Sequence, residues 1–94
     1  MKIRLKLHGM LGFISSSKYG KDTEVDFMGN TVEDLVNHLL SRMKSEEKCL
    51  LLNEQGEILP DLLVFLNGKF IPAPDQLSHS LATSDLVELA ILSE

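Results

Sequence analysis

The chain has 94 residues, 44% hydrophobic and 24% charged, a composition that allows one modest core and argues against wholesale disorder or a second domain. Its formal net charge of −5 disfavours nucleic acid as a partner, and no apolar run approaches the roughly 20 residues that a membrane-spanning helix needs. Residues 1–6 alternate charged and apolar side chains, unlike a signal peptide, and the single Cys49 cannot form an internal disulfide. We therefore expect a single domain over residues 1–94 that is cytoplasmic and has no nucleic acid or membrane partner.

The charge is unevenly spread. Residues 1–21 hold Lys2, Arg4, Lys6, Lys18 and Lys21 and no acid, leaving only Arg42, Lys44, Lys48 and Lys69 against all 14 acidic residues in the remainder. A dipolar surface is expected.

In chain order, residues 2–8 alternate, with Ile3, Leu5 and Leu7 on one side and Lys2, Arg4, Lys6 and His8 on the other, the pattern of a strand with one buried face. Residues 9–20 break the alternation with glycines and with Ser15, Ser16 and Ser17, and should form a long turn carrying some apolar side chains. From Thr23 to Met28 alternation returns, Val25 and Phe27 opposing Glu24 and Asp26, so a hairpin is expected. A helix over residues 30–44 follows. Val32, Leu35, Val36, Leu39, Leu40 and Met43 recur at i, i+3, i+4, i+7, i+8 and i+11, one stripe on a helix of about 3.6 residues per turn. Thr31 and Asp34 make a near capping box, and Glu33 and Asp34 sit where the helix dipole favours negative charge. Arg42 and Lys44 suit the other end, and Ser45-Glu-Glu-Lys48 has no apolar period, so the helix should stop near Lys44.

Cys49 to Leu52 is a short apolar run that reads as a brief strand, with Asn53 to Glu57 as a turn. Leu62 to Leu66 is the strongest strand of the second half. It ends in Asn67-Gly68, a hairpin signal, before Lys69-Phe70-Ile71. Pro72 and Pro74 keep the next segment out of a central strand, Gln76 to Ser84 is polar with isolated leucines, and Ser84-Asp85 should turn the chain into a last strand from Leu86 to Ile91. The expected core is Ile3, Leu5, Leu7, Val25, Phe27, Leu35, Leu39, Val64, Leu66, Val87, Leu89 and Ile91.

This order predicts an α+β fold, a ubiquitin-like β-grasp in which a mixed sheet of four to five strands packs on one main helix, with the first and last strands adjacent. Residues 1–9, Asn30-Thr-Val-Glu-Asp-Leu35, Leu63-Val-Phe-Leu-Asn-Gly68 and the run from Thr83 to Leu92 together resemble the MoaD/ThiS-like, ubiquitin-like sulfur-carrier family, which includes the small subunit of molybdopterin synthase and the thiamine-biosynthesis sulfur carrier. The run from Leu51 to Glu57, leading on to Asn67-Gly68, is similar to the longer microbial branch of that family.

The resemblance implies a C-terminal Gly-Gly whose carboxylate is adenylated and converted to a thiocarboxylate, glycine being required because a Cβ would obstruct a narrow channel. The 94 residues contain no Gly-Gly and end Ile91-Leu-Ser-Glu94. Ser93 and Glu94 would form a short tail, reaching only roughly 3.5 Å per residue, with a second carboxylate beside the terminal one. The expectation is a non-catalytic binding or accessory subunit related to sulfur carriers. The alternative is a sulfur carrier of molybdopterin or thiamine-type cofactor biosynthesis whose Gly-Gly is missing from these residues.

Independent chemistry is sparse. His8, His38 and His79 lack ligand spacing, so no metal is expected, and His38 lies off the apolar stripe and reads as solvated surface. Cys49 precedes three leucines and reads as core rather than nucleophile, and the serines lack a triad context. No catalytic residue, cofactor or enzymatic activity is expected.

The outer sheet face carries the functional expectation. If Leu62, Val64 and Leu66 face the helix, alternation turns Leu63 and Phe65 outward, together with Glu88, Ala90 and Leu92 of the last strand. Arg4, Lys6 and His8 would flank them, giving an apolar centre with a charged margin, the composition of a docking surface. The expected partner is a protein, such as a cofactor-synthesis or activating enzyme or a larger enzyme subunit. Incubating the 94-residue chain with an activating enzyme, ATP and a sulfur donor should leave its intact mass unchanged; a thiocarboxylate on Glu94 would contradict the tail reading.

Overall fold

The structure, a computed structural model, describes residues 1–9, 23–72 and 75–91. Strands β1 (Lys2–Leu7), β2 (Thr23–Asp26), β3 (Leu62–Leu66), β4 (Lys69–Ile71) and β5 (Leu86–Ile91) form one five-stranded sheet in the order β2-β1-β5-β3-β4. β1 and β5 run parallel, and the other neighbouring pairs are antiparallel. Parallel neighbours require a crossover, and helix α1 (Val32–Ser41) lies in the chain between them.

The alternation of the strands and the stripe of the helix meet in one core. Ile3, Leu5 and Leu7 of β1, Val64 of β3, Val87 and Leu89 of β5 and Val32, Leu35, Val36 and Leu39 of α1 are each no more than 4% exposed and belong to one cluster. A mixed sheet with one face packed on a main helix is the ubiquitin-like β-grasp fold, and its first and last strands are adjacent.

The start of α1 is held from two directions. Thr31 Oγ1 accepts from Asp34 N at 3.2 Å while Asp34 Oδ2 accepts from Thr31 N at 3.2 Å and Asn30 N at 3.0 Å, completing the capping box with an aspartate. The bond from Asn30 N, followed by that between Asp34 and Thr31, holds the Asp34 carboxyl below its ordinary range. Gly29, at φ +126°, precedes this box, where an added Cβ would lie 2.5 Å from the Asp34 side chain. Val32 N and Glu33 N, orphan donors of the first turn, reach His79 O at 3.1 Å and Leu77 O at 2.8 Å. The loop before β5 thereby closes the helix end.

The sequence pattern places several elements differently. α1 ends at Ser41, before the expected Lys44, because Arg42 N and Met43 N turn back to Leu39 O at 3.0 Å and Leu40 O at 3.2 Å, tightening the last turn. Met43 is still buried, beyond the helix. Ser45–Lys48 forms a short helix, α2, whose start is closed by Lys44 N donating to Glu47 Oε1 at 2.8 Å. In place of the expected strand over Cys49 to Leu52, residues 49–51 form a turn and Leu52 makes only an isolated bridge to Ile58, since Leu51 N and Leu52 N are spent on Lys48 O at 3.0 and 2.8 Å and cannot join the sheet. Within it Leu51 is buried and Cys49 is exposed, so the core reading of Cys49 is corrected.

β2 ends at Asp26, two residues short of Met28, which is exposed. The expected core is buried except for Leu66 and Ile91, near the sheet margins, which pack half-buried against it. Ile71, Leu81 and Gln76 are buried although the pattern around them looked peripheral. The long turn after Gly9 and the expectation at Pro74 lie outside the described residues.

Leu39, 1% exposed, lies in the stripe and belongs to the core that helix and sheet share. Leu39→Ala should cost about 2 to 5 kcal/mol in chemical denaturation, as truncations in packed cores do; a loss below about 1 kcal/mol would contradict this packing.

Candidate functional site

The strand register that builds the core also arranges the opposite face. Lys6 of β1 pairs with Glu88 of β5, Glu88 with Phe65 of β3, and Phe65 with Phe70 of β4, so one row of outward side chains crosses four strands from cation to aromatic pair. In flanking rows, Ala90 pairs with Leu63, and Arg4 pairs with Leu86 on one side and Glu24 on the other. Leu63, Phe65 and Ala90, expected on this face, share it, while their neighbours Leu62 and Val64 are buried. Arg4 is exposed and Lys6 half-buried along its margin.

Leu63 and Phe65 are half-buried rather than fully wet. Phe70 accounts for part of this cover at Phe65: its ring centroid lies 5.6 Å from that of Phe65 at 51°, a tilted aromatic contact, and Phe70 itself remains 45% exposed. The interface expectation omitted Phe70, although its signal was present. A two-residue Asn67-Gly68 turn pairs Leu66 with Lys69 and hence Phe65 with Phe70. Both turn residues have positive φ, 52° and 84°, as such a turn demands.

Asn67 does more than turn the chain. Its Oδ1 accepts from Leu86 N at 2.9 Å, its Nδ2 donates to Asp85 Oδ1 at 3.1 Å, and its backbone N donates to Leu86 O at 2.8 Å, tying the β3–β4 hairpin to the start of β5.

His8, just past β1, forms the polar wall of the site. Its Nε2 lies 2.7 Å from Glu88 Oε2, and its backbone N donates to Leu89 O at 2.9 Å. With Leu63, Phe65, Gly68 and Ala90, this pair lines an open cleft of about 420 Å³. Apolar floor, aromatic edge and a polar pair at one end make a shape that can take an apolar side chain of a partner and orient the partner's neighbouring polar groups by hydrogen bonding. Leu92, Ser93 and Glu94, expected at the edge of this face and in the tail, lie outside the described residues.

The remaining candidates sit apart. His38 is half-buried against Phe27, ring centroids 6.3 Å apart, rather than on open surface. Burial pushes its imidazole pKa down, the charge of Arg42 adds to this, and Asp26 opposes it. His79 Nδ1 lies 2.9 Å from Ser80 O. Among the described residues no group of three or more His, Cys, Asp or Glu side chains is placed to hold a metal ion, and no helix is long and apolar enough to cross a membrane.

No protein family matches the chain by its sequence profile, and no curated protein matches it closely enough to count as a relative. Solved structures do match. Small archaeal modifier protein 1 from Haloferax volcanii superimposes with a TM-score of 0.72 at 21% identity, covering 96% of this chain and 95% of that one. The protein of the same name from Methanosarcina acetivorans gives 0.71 at 17% identity, covering 99% and 94%. Urm1 from Trypanosoma brucei gives 0.70 at 20% identity, covering 96% and 90%. The likeness runs through nearly the whole of each chain and shows that the fold is a ubiquitin-like β-grasp.

Proposed function

We propose that this β-grasp chain is a non-catalytic binding module or accessory subunit of the cytoplasm that docks on a protein partner through the outer face of its sheet. The observation that carries the reading is the cleft in which Leu63, Phe65 and Ala90 meet the His8–Glu88 pair, on the face turned away from the helix. Apolar side chains held outward by strand register cannot be withdrawn without unfolding the sheet, and among the described residues only Phe70 packs its ring on Phe65 from this side, which favours cover by another molecule.

Phe65 and Leu63 serve as the anchors, extended by Phe70, because buried aromatic and aliphatic groups dominate interface energies. Arg4 and Lys6 form a basic margin that speeds encounter with an acidic partner. The sequence resemblance to sulfur carriers supports a partner from cofactor-sulfur chemistry, either an activating enzyme or a larger synthase subunit. The solved structures named as modifiers support the same general class, small β-grasp proteins that work through protein contacts.

The test is photocrosslinking from Ala90, with Glu46 on α2 as the control position. A saturable crosslink from Ala90 alone, competed by the wild-type chain and not by Phe65→Asp, is the expected result. Against the captured partner, Phe65→Ala should weaken binding by more than about 1 kcal/mol, and Arg4→Ala should chiefly flatten the salt dependence of association. Unchanged binding by Phe65→Ala together with a large loss of stability would contradict the proposal.

A further inference from the structure

A second groove lies between α1 and the turn that follows α2. Its floor is Leu40, Leu52, Ile58 and Leu77, all half-buried, and its rim carries the exposed carboxylates Glu33 and Glu57. The space is about 440 Å³, similar to the outer-face cleft, but the electrostatics differ: among the described residues no cation lines it.

The walls are fixed by hydrogen bonds that hold the backbone on both sides. On one side, Glu33 N donates to Leu77 O at 2.8 Å and Leu81 N to Asn30 O at 2.7 Å, pinning the 77–81 segment to the start of α1. On the other, Asn53 Oδ1 accepts from Gln55 N at 2.9 Å and from Glu57 N at 3.0 Å, and Leu52 bridges to Ile58, so the turn carrying Glu57 is closed on itself. Gly56, at φ +81°, completes that turn, and a Cβ there would meet nothing within 4 Å, so it is the backbone angle that favours glycine. A groove formed before a ligand arrives loses little ordering entropy on binding.

We propose that this groove is a docking site for a basic amphipathic segment of a partner protein, which seats an aliphatic side chain on the Leu40, Leu52, Ile58 and Leu77 floor and meets Glu33 and Glu57 with lysine or arginine. Charge complementarity selects this occupant. The rim is acidic, among the described residues the lining holds no positive group to attract an acidic segment, and the apolar floor distinguishes the site from a merely solvated acidic patch. The site is independent of the outer sheet face and stands whether or not that face is an interface.

The test is amide chemical-shift mapping of the isotope-labelled chain titrated with a synthetic lysine–leucine amphipathic peptide, with a glutamate–leucine peptide as control. The proposal expects saturable shifts at Asn37, Leu40, Leu52, Gly56 and Ile58 with the basic peptide only, and persistence of those shifts in Phe65→Asp. The double variant Glu33→Lys, Glu57→Lys should bind about five- to tenfold more weakly, as losing two exposed charge pairs does. Its amide dispersion reports whether it is folded, and Glu57→Lys alone, on the exposed turn, carries the comparison if it is not. Shifts confined to Leu63, Phe65 and Ala90, equal binding of the acidic peptide, or no saturable shifts would overturn the proposal.

Discussion

β5 is hydrogen-bonded on both sides, parallel to β1 and antiparallel to β3, so its alternation is shared by three strands at once. Val87 and Leu89 point to the helix and are fully buried, which forces Leu86, Glu88 and Ala90 to the other face. A slip of one residue would bring Glu88 under α1 and drive Leu89 into water, and burying that carboxylate without a partner would cost several kcal/mol. The packing of α1 and the composition of the outer face are therefore two consequences of one register.

That register is set by features at the start of β5. Ser84, at φ +74°, turns the chain into the strand, Asp85 Oδ2 accepts from Ala82 N at 2.8 Å, and Asn67 clasps Leu86 from the neighbouring hairpin. Ser84 N donates to Lys2 O at 2.8 Å and Arg4 N to Asp85 O at 2.8 Å, so the parallel pairing begins where the turn ends. The cleft inherits its rigidity from this arrangement: Phe65, Glu88 and Lys6 are consecutive members of a row that the backbone bonds hold in line.

Much of this was legible in the chain because it depends on period. The alternation in residues 2–7, 62–66 and 86–91 and the stripe from Val32 to Met43 assign inner and outer faces, and the structure keeps every one of those phases. What the pattern missed was set by local backbone bonding or by distant partners. The i+3 bonds that stop α1 at Ser41, the turn that takes Leu51 N and Leu52 N away from the sheet and the closure of α1 by the 77–81 segment have no periodic signature. Phe70 is intermediate: its place beside Phe65 follows from the two-residue turn, but only once β4 is paired. The acidic groove needed the fold itself, since Leu40, Leu52, Ile58 and Leu77 come from three separate stretches.

The phase of β3 and β5 divides the core from the outer face of the sheet. Single cysteines placed in turn at positions 62 to 65 and 87 to 90, in a Cys49→Ser background, make that phase measurable as thiol-labelling rates in the native protein. Fast labelling at Leu63, Phe65, Glu88 and Ala90, with slow labelling at Leu62, Val64, Val87 and Leu89, is the result predicted. Inverted alternation, or uniform rates along both strands, would contradict it.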